Sequence, residues 1–194
     1  MFVFSSKSEG LEWENEPDIE EFRRLYNLAE IEPQSAISGF ENLANRGSLA
    51  SMLHLGSGYL KGIPEKNYEK AKHWYLLASN NGHAEASMIY GRMCLDAKDY
   101  VEAKKVYEKI ALTDDPEAIY FLGITHLEAK KHSFSKQQGI SLLKKSSDLG
   151  YPFASRDLAL LMLTGKLGWS NLSKGFPLII RSISQLFKIL WPKK

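Results

Sequence analysis

With 194 residues, 44% of them apolar and 25% charged, the chain has ordinary globular composition, which argues against disorder over most of its length and accommodates one domain or one continuous array. A single cysteine, Cys94, excludes an internal disulfide framework and a thiolate metal cluster, and the five histidines are scattered without ligand-like spacing. The net charge of +2 hides a strong polarity: residues 1–32 hold nine acids against three bases, whereas residues 158–194 hold six bases and no acid.

Residues 1–16, MFVFSSKSEGLEWENE, have a short apolar start and then turn polar and acidic, so no secretory signal is predicted and the segment is expected to be mobile. The acidic run Glu12, Glu14, Glu16, Asp18, Glu20 and Glu21 reads as a solvated, self-repelling segment rather than a catalytic pair. No stretch reaches the roughly 18 to 20 apolar residues that span a bilayer, and a cytoplasmic protein is the expectation. In residues 17–31, PDIEEFRRLYNLAEI, the helical spacing of Ile19, Phe22, Leu25, Tyr26 and Ala29 predicts a helix that caps a repeat array.

From residue 33 onward the chain repeats itself. Small residues recur at Ala36, Ala71, Ala103, Gly139 and Gly175, at separations of 35, 32, 36 and 36. A second series, Gly56, Gly91, Gly123 and Ala159, comes 20 residues after the first four every time, and all length variation falls in the other connection. Each half has helical periodicity. The first-series helix, here B, carries Ala71, Trp74, Tyr75 and Ala78 on one face and stops at Gly82, where a left-handed residue ends a helix without Cβ strain. Gly47 and Gly150 hold the same place, and Asp114 replaces glycine in the third unit. The second-series helix, here A, has a glycine in mid-helix, which costs about 1 kcal/mol against alanine and needs a packing reason. The constant 20 predicts that each B docks tightly on the next A through small residues.

The runs Gly82-His83-Ala84-Glu85-Ala86 and Asn67-Tyr68-Glu69-Lys70-Ala71, followed by Trp74-Tyr75, resemble the Sel-one-like repeat family, an offshoot of the tetratricopeptide repeats. The resemblance covers residues 33 to about 186, roughly four repeats and part of a fifth. DYVEAKKVYEKIALTDDPEAIYFLG is more tetratricopeptide-like, and the fourth unit departs with Ala159 for glycine and Met162 for the usual tyrosine. The resemblance implies an all-α, right-handed α-solenoid of antiparallel helix pairs and a role in assembling protein complexes. It also admits an inhibitor or immunity-type partner that neutralises an enzyme, since bacterial relatives include proteins that bind and inhibit toxins. The predicted organisation is an N-terminal segment 1–16, an array over 17–171 and a C-terminal helix and tail over 172–194.

No strand pattern supports a phosphate loop, and no catalytic constellation appears, so the reading is a non-enzyme without cofactor or metal. Cys94 stands where unit 1 has Tyr59, which predicts a buried, inert thiol, and His83 reads as a structural part of the repeat junction. Counted from the helix A glycine, offsets −5, −1 and +3 face helix B, and offsets −3, +1 and +4 share the opposite face. In stacked repeats that second face lines a groove. The candidate partner-binding residues are Met88, Arg92, Tyr120, Ile124, Arg156 and Leu160, receiving an apolar or acidic-apolar segment with the two arginines pairing carboxylates. The competing reading is that the leucines of this face, Leu53, Leu60, Leu95, Leu127, Leu160 and Leu163, merely pack A helices together.

In the tail, GFPLIIRSISQLFKILWPKK, one face holds Ile180, Ile183, Phe187, Leu190 and Trp191, with Pro177 expected in the first helical turn. A terminal helix ordinarily shows water a polar face, and this one is too apolar for that. Homodimer closure and docking of a protein partner are favoured together over an anionic membrane surface. Nucleic acid is not expected, because stacking aromatics are not interleaved with the bases and the charge is small.

Overall fold

The computed structural model describes residues 16–129, 134–167 and 172–190. Among them are ten α-helices and no strand: α1 (Ile19–Ile31), α2 (Pro33–Asn45), α3 (Leu49–Lys61), α4 (Tyr68–Asn80), α5 (Ala84–Asp96), α6 (Tyr100–Ala111), α7 (Pro116–Glu128), α8 (Lys136–Asp148), α9 (Pro152–Leu163) and α10 (Leu172–Leu190). The chain divides into two compact units, Met1–Tyr90 and Gly91–Lys194, each considered by itself.

The helices begin where side chains can take up free backbone N–H groups. Asp18, Ser48, Asn67, Asp99, Asp115 and Ser135 each accept a hydrogen bond from the residue three positions on. Proline opens α2, α7 and α9, where its missing N–H costs nothing.

The turns from helix B to helix A share one construction. Ser48 N–H donates to Leu43, His83 to Ala78 and Tyr151 to Ser146, at 3.0, 3.1 and 3.0 Å, closing the six-residue loop of a Schellman motif. The left-handed residue in each is Gly47, Gly82 or Gly150, at φ of 98°, 87° and 101°, and Asp114 adopts φ 57° in the third unit. This fixed turn, with helices of nearly constant length, is the physical source of the invariant 20.

The tight small-residue contact lies on the other side of each helix A, which corrects the expectation drawn from that spacing. A Cβ on Gly56 would lie 3.0 Å from the Tyr75 ring of α4, and one on Gly91 2.7 Å from the Tyr107 ring of α6. A Cβ on Gly139 of α8 would lie 2.9 Å from the Gly123 carbonyl oxygen of α7, and one on Gly175 3.2 Å from that of Ala159 in α9. Each A therefore crosses closely with the B that succeeds it, across the variable loop. The period locates the glycines along the chain but cannot say which neighbour approaches them.

The first unit packs Phe22, Leu25, Phe40, Leu55, Tyr59 and Trp74 in its core, and the second packs Tyr107, Ile119, Leu122, Leu143 and Leu158. The face-inward offsets are met: Ala86, Tyr90 and Cys94 are all buried, as are Ala118, Leu122 and His126. The helix predicted over residues 17–31 forms as α1.

Part of the acidic run does more than repel itself. Glu16 closes the start of α3, accepting from the Ser48 hydroxyl at 2.7 Å and from Ala50 N–H at 2.8 Å. Asp18 caps α1 through the Glu21 N–H at 3.0 Å and lies 3.6 Å from Arg46. Glu12, Glu14 and the rest of residues 1–15 lie outside the described residues. At the other end α10 begins at Leu172, so Pro177 sits inside the helix instead of in its first turn, where it removes one backbone donor.

Candidate protein-binding face

Within the second unit, α5, α7 and α9 carry the candidate residues on their −3, +1 and +4 offsets. Arg92 and Arg156 are exposed, Ile124 is half-buried and Leu160 is 47% exposed. Met88, one turn before Arg92 on α5, is half-buried and counts with the first unit. Tyr120 departs from the expected role of a free contact residue: it is buried, beside Leu143 and Ala154. Its hydroxyl donates to Asp157 Oδ2 at 2.8 Å, and its ring meets that of Tyr151 at 5.1 Å. Burial first and Asp157 second push its phenol above the ordinary range. Tyr120 thus shapes the face from beneath.

Both arginines lie over aromatic rings. The Arg92 guanidinium is 5.9 Å from the centre of the Phe121 ring, and that of Arg156 is 5.0 Å from the centre of Phe153. At these distances each ring attracts the cation and leaves guanidinium N–H groups for acceptors. Arg156 already uses Nε on Asp157 Oδ1 at 2.7 Å, so a carboxylate of its own chain partly satisfies it. Sequence reasoning missed Phe153, Asp157 and Tyr151, because their offsets fall off the helical stripe and only the turn before α9 brings Tyr151 alongside.

In the first unit, Tyr26, Ile37, Phe40, His54, Lys61 and Ile63 line an apolar pocket of about 100 Å³ where α1, α2 and α3 meet. That is well below the roughly 300 Å³ at which small-molecule sites begin. Its aromatic wall is close-packed, with the His54 and Phe40 ring centres 4.3 Å apart. Burial, helped by the charge of Lys61, lowers the His54 pKa to about 4. The only hint in the sequence was the Phe22 and Tyr26 pair, one turn apart on α1.

Cys94 is fully buried. His83 is structural: its Nδ1 accepts the Ala86 N–H at 3.1 Å, capping α5 with an imidazole. Among the described residues no group of three or more His, Cys, Asp or Glu side chains is arranged to hold a metal ion. No described helix is long and apolar enough to cross a membrane.

On α10 the apolar face is open to solvent. Ile180, Ile183, Phe187 and Leu190 are 69%, 50%, 60% and 69% exposed, while Trp191 lies outside the described residues. The helix is held to α9 by its other side, where Ser182 donates to the Pro152 carbonyl at 2.9 Å.

Residues 49–83 and 116–151 match the Sel1 repeat family model. The fold is similar to that of a protective antigen of uropathogenic Escherichia coli with an SLR fold, at a TM-score of 0.61 and 20% identity over 94% of this chain and 50% of that one. It is also similar to a Sel1 repeat protein from Oxalobacter formigenes, at 0.60 and 23% over 86% of this chain and 69% of that one. MamA from Desulfovibrio magneticus RS-1 gives 0.60 and 16%, over 86% and 95%. The chain therefore spans half the length of the Escherichia coli protein. No curated protein sequence matches it. At these identities what is shared is the fold, an all-α helical repeat of a class consistent with protein–protein interaction.

Proposed function

We infer, from a chain that carries Sel1 repeats, that the protein is a non-catalytic scaffold that binds a protein partner on the A-helix face of its second unit. The observation that carries this reading is the pair of exposed arginines placed over aromatic rings, Arg92 over Phe121 and Arg156 over Phe153, with the exposed Leu160 on the same face. Exposed guanidinium groups near aromatic rings and open apolar side chains suit an extended segment that alternates carboxylates with apolar residues. Arg92 is the better receptor, because Arg156 shares its charge with Asp157. Ile124 adds apolar surface within the second unit.

The test is affinity capture from cells of the source organism, identification of the bound protein by mass spectrometry, and calorimetric titration of the purified pair. Arg92→Glu and Leu160→Glu change exposed side chains and leave the core intact, whereas Tyr120→Ala would also open the packing beneath the face. Each charge-reversing or charge-adding variant is expected to weaken binding by about tenfold or more, corresponding to about 1.4 kcal/mol. Unchanged affinity in both folded variants would remove this face from consideration.

A further inference from the structure

Helix α8 docks on α7 through the Ser146 hydroxyl, which donates to the Pro116 carbonyl at 2.6 Å. Helix α10 docks on α9 through the Ser182 hydroxyl, which donates to the Pro152 carbonyl at 2.9 Å. Donor and acceptor have both moved by 36 residues, so α10 stands on α9 in the register in which α8 stands on α7. But α8 has a second neighbour, α9, met at Ser147, whose hydroxyl lies 2.7 Å from that of Ser155. The residue 36 positions after Ser147 is Ile183, and among the described residues no helix comes after α10 to cover it.

The uncovered side is not a copy of the face that α8 offers to α9. Where α8 has Ile140, Lys144 and Ser147, α10 has Phe176, Ile180 and Ile183, larger and wholly apolar. Phe176, Ile180, Ile183, Phe187 and Leu190 succeed one another at steps of 4, 3, 4 and 3, the heptad spacing of a helix seam that packs against another helix. The stripe is centred on Ile183, seven residues from either end. Read from its other end it still places an apolar residue at each step.

We propose that this stripe binds a second copy of the chain, the two α10 helices lying antiparallel about a two-fold axis at Ile183. Phe176 then opposes Leu190 of the other copy, Ile180 comes beside Phe187, one residue from direct opposition, and Ile183 meets its own equivalent, which is the self-complementary pattern that a two-fold interface requires. At 50% to 69% exposure the five side chains offer roughly 600 Å² per copy. A pair buries roughly 1,200 Å², the lower end of stable specific interfaces.

Charge is placed to permit this pairing. Lys174, Arg181 and Lys188, seven residues apart, lie on the side of α10 away from the stripe, and Arg181 is 3.5 Å from Asp148 of α8. The seam itself carries no like charges, and antiparallel packing separates the basic ends of the two copies. Cations opposite an apolar stripe also suit a helix lying in a lipid interface, so the self-complementary order of the stripe carries the choice of a second copy and a vesicle measurement tests the lipid alternative. The inference rests on α10 alone and is independent of the partner-binding face on α5, α7 and α9.

Sedimentation velocity of the full chain over a concentration series tests it. A species of twice the 22.0 kDa chain mass, dissociating on dilution, is expected. Ile183→Glu puts two carboxylates on the axis and should weaken self-association by about a hundredfold, with unchanged circular dichroism because the site is half-exposed. The only native cysteine, Cys94, is buried, so cysteine cross-linking by a short bis-maleimide reports the register. Ile183→Cys should link to itself, and Phe176→Cys should link to Leu190→Cys but not to itself. A chain that stays monomeric at all concentrations overturns the proposal, as does Phe176→Cys linking to itself. A monomer that co-sediments with phosphatidylserine–phosphatidylcholine vesicles, and loses this with Ile183→Glu, also overturns it and assigns the stripe to lipid.

Discussion

A methyl group added to Gly139 would meet the Gly123 carbonyl oxygen at 2.9 Å and Leu127 Cγ at 2.8 Å. Alanine normally gains about 1 kcal/mol over glycine inside a helix, whereas overpacking against a backbone atom costs about 1 to 3 kcal/mol. A leucine tip can swing aside and a carbonyl in a helix cannot, so the steric cost should win. Gly139→Ala is expected to destabilise the protein by about 1 to 2 kcal/mol in urea unfolding monitored by circular dichroism. A variant more stable than the wild type would mean that α7 and α8 separate at no cost. Gly91 has a different neighbour, the ring of Tyr107, whose buried hydroxyl has no hydrogen-bond partner among the described residues. Burial pushes that phenol well above its usual range. The positions of these glycines were legible in the sequence because a mid-helix glycine is expensive. Their partners were not, since a tyrosine sixteen residues away carries no mark of where its ring will lie.

At the scale of the helices and their turns, the chain uses one motif in two chemical versions. The turns after α2, α4 and α8 place glycine in the left-handed position, whereas Asp114 and Lys98 adopt φ of 57° and 59° there. Lys98 stands in the turn from α5 to α6, closed by Asp99 N–H on the Cys94 carbonyl at 2.8 Å. A residue with a Cβ is strained in this region by about 1 to 2 kcal/mol, part of which glycine returns through its freer unfolded chain. Lys98→Gly is therefore expected to stabilise the protein by about 0.5 to 1 kcal/mol, read from the denaturation midpoint. Asp114→Gly is less clean, because Asp114 also holds Lys145 at 2.6 Å. The sequence announced Asp114, which occupies a column of glycines, and was silent on Lys98, which occupies no such column. It also announced α10 as apolar on too many sides, but not that the apolar excess forms a single seven-residue-spaced seam beside a buried serine face. That distinction requires knowing which side Ser182 turns toward Pro152.

For the molecule as a whole, stability should depend on pH through the first unit. His54 is packed against Phe40 and kept neutral down to about pH 4, against 6.5 when free. As pH falls the unfolded chain takes up this proton first. The contribution, about 3 kcal/mol from the shift, is complete above pH 6.5 and is lost as pH drops from 6.5 toward 4. His83 acts in the same direction, since burial lowers its pKa and protonation would remove the acceptor that caps α5. Thermal midpoints should therefore fall on acidification over this window, and His54→Phe should flatten the profile. An unchanged slope in that variant would place the acid sensitivity elsewhere. The Schellman turns set a further condition on the whole chain. A residue inserted between Gly82 and His83 would displace the donor to Ala78 and start α5 about 100° out of phase, offering its docking partners the wrong side. The loop of residues 62–67 opens with the same closure, Gly62 at φ 88° and Ile63 N–H on the Gly58 carbonyl at 2.9 Å, but exposed Glu65 and Lys66 follow before α4 starts, and an insertion between those two would only lengthen a surface bend. Change in chain length is thus channelled to one class of connection, which makes this a protein that can drift in size without losing its phase.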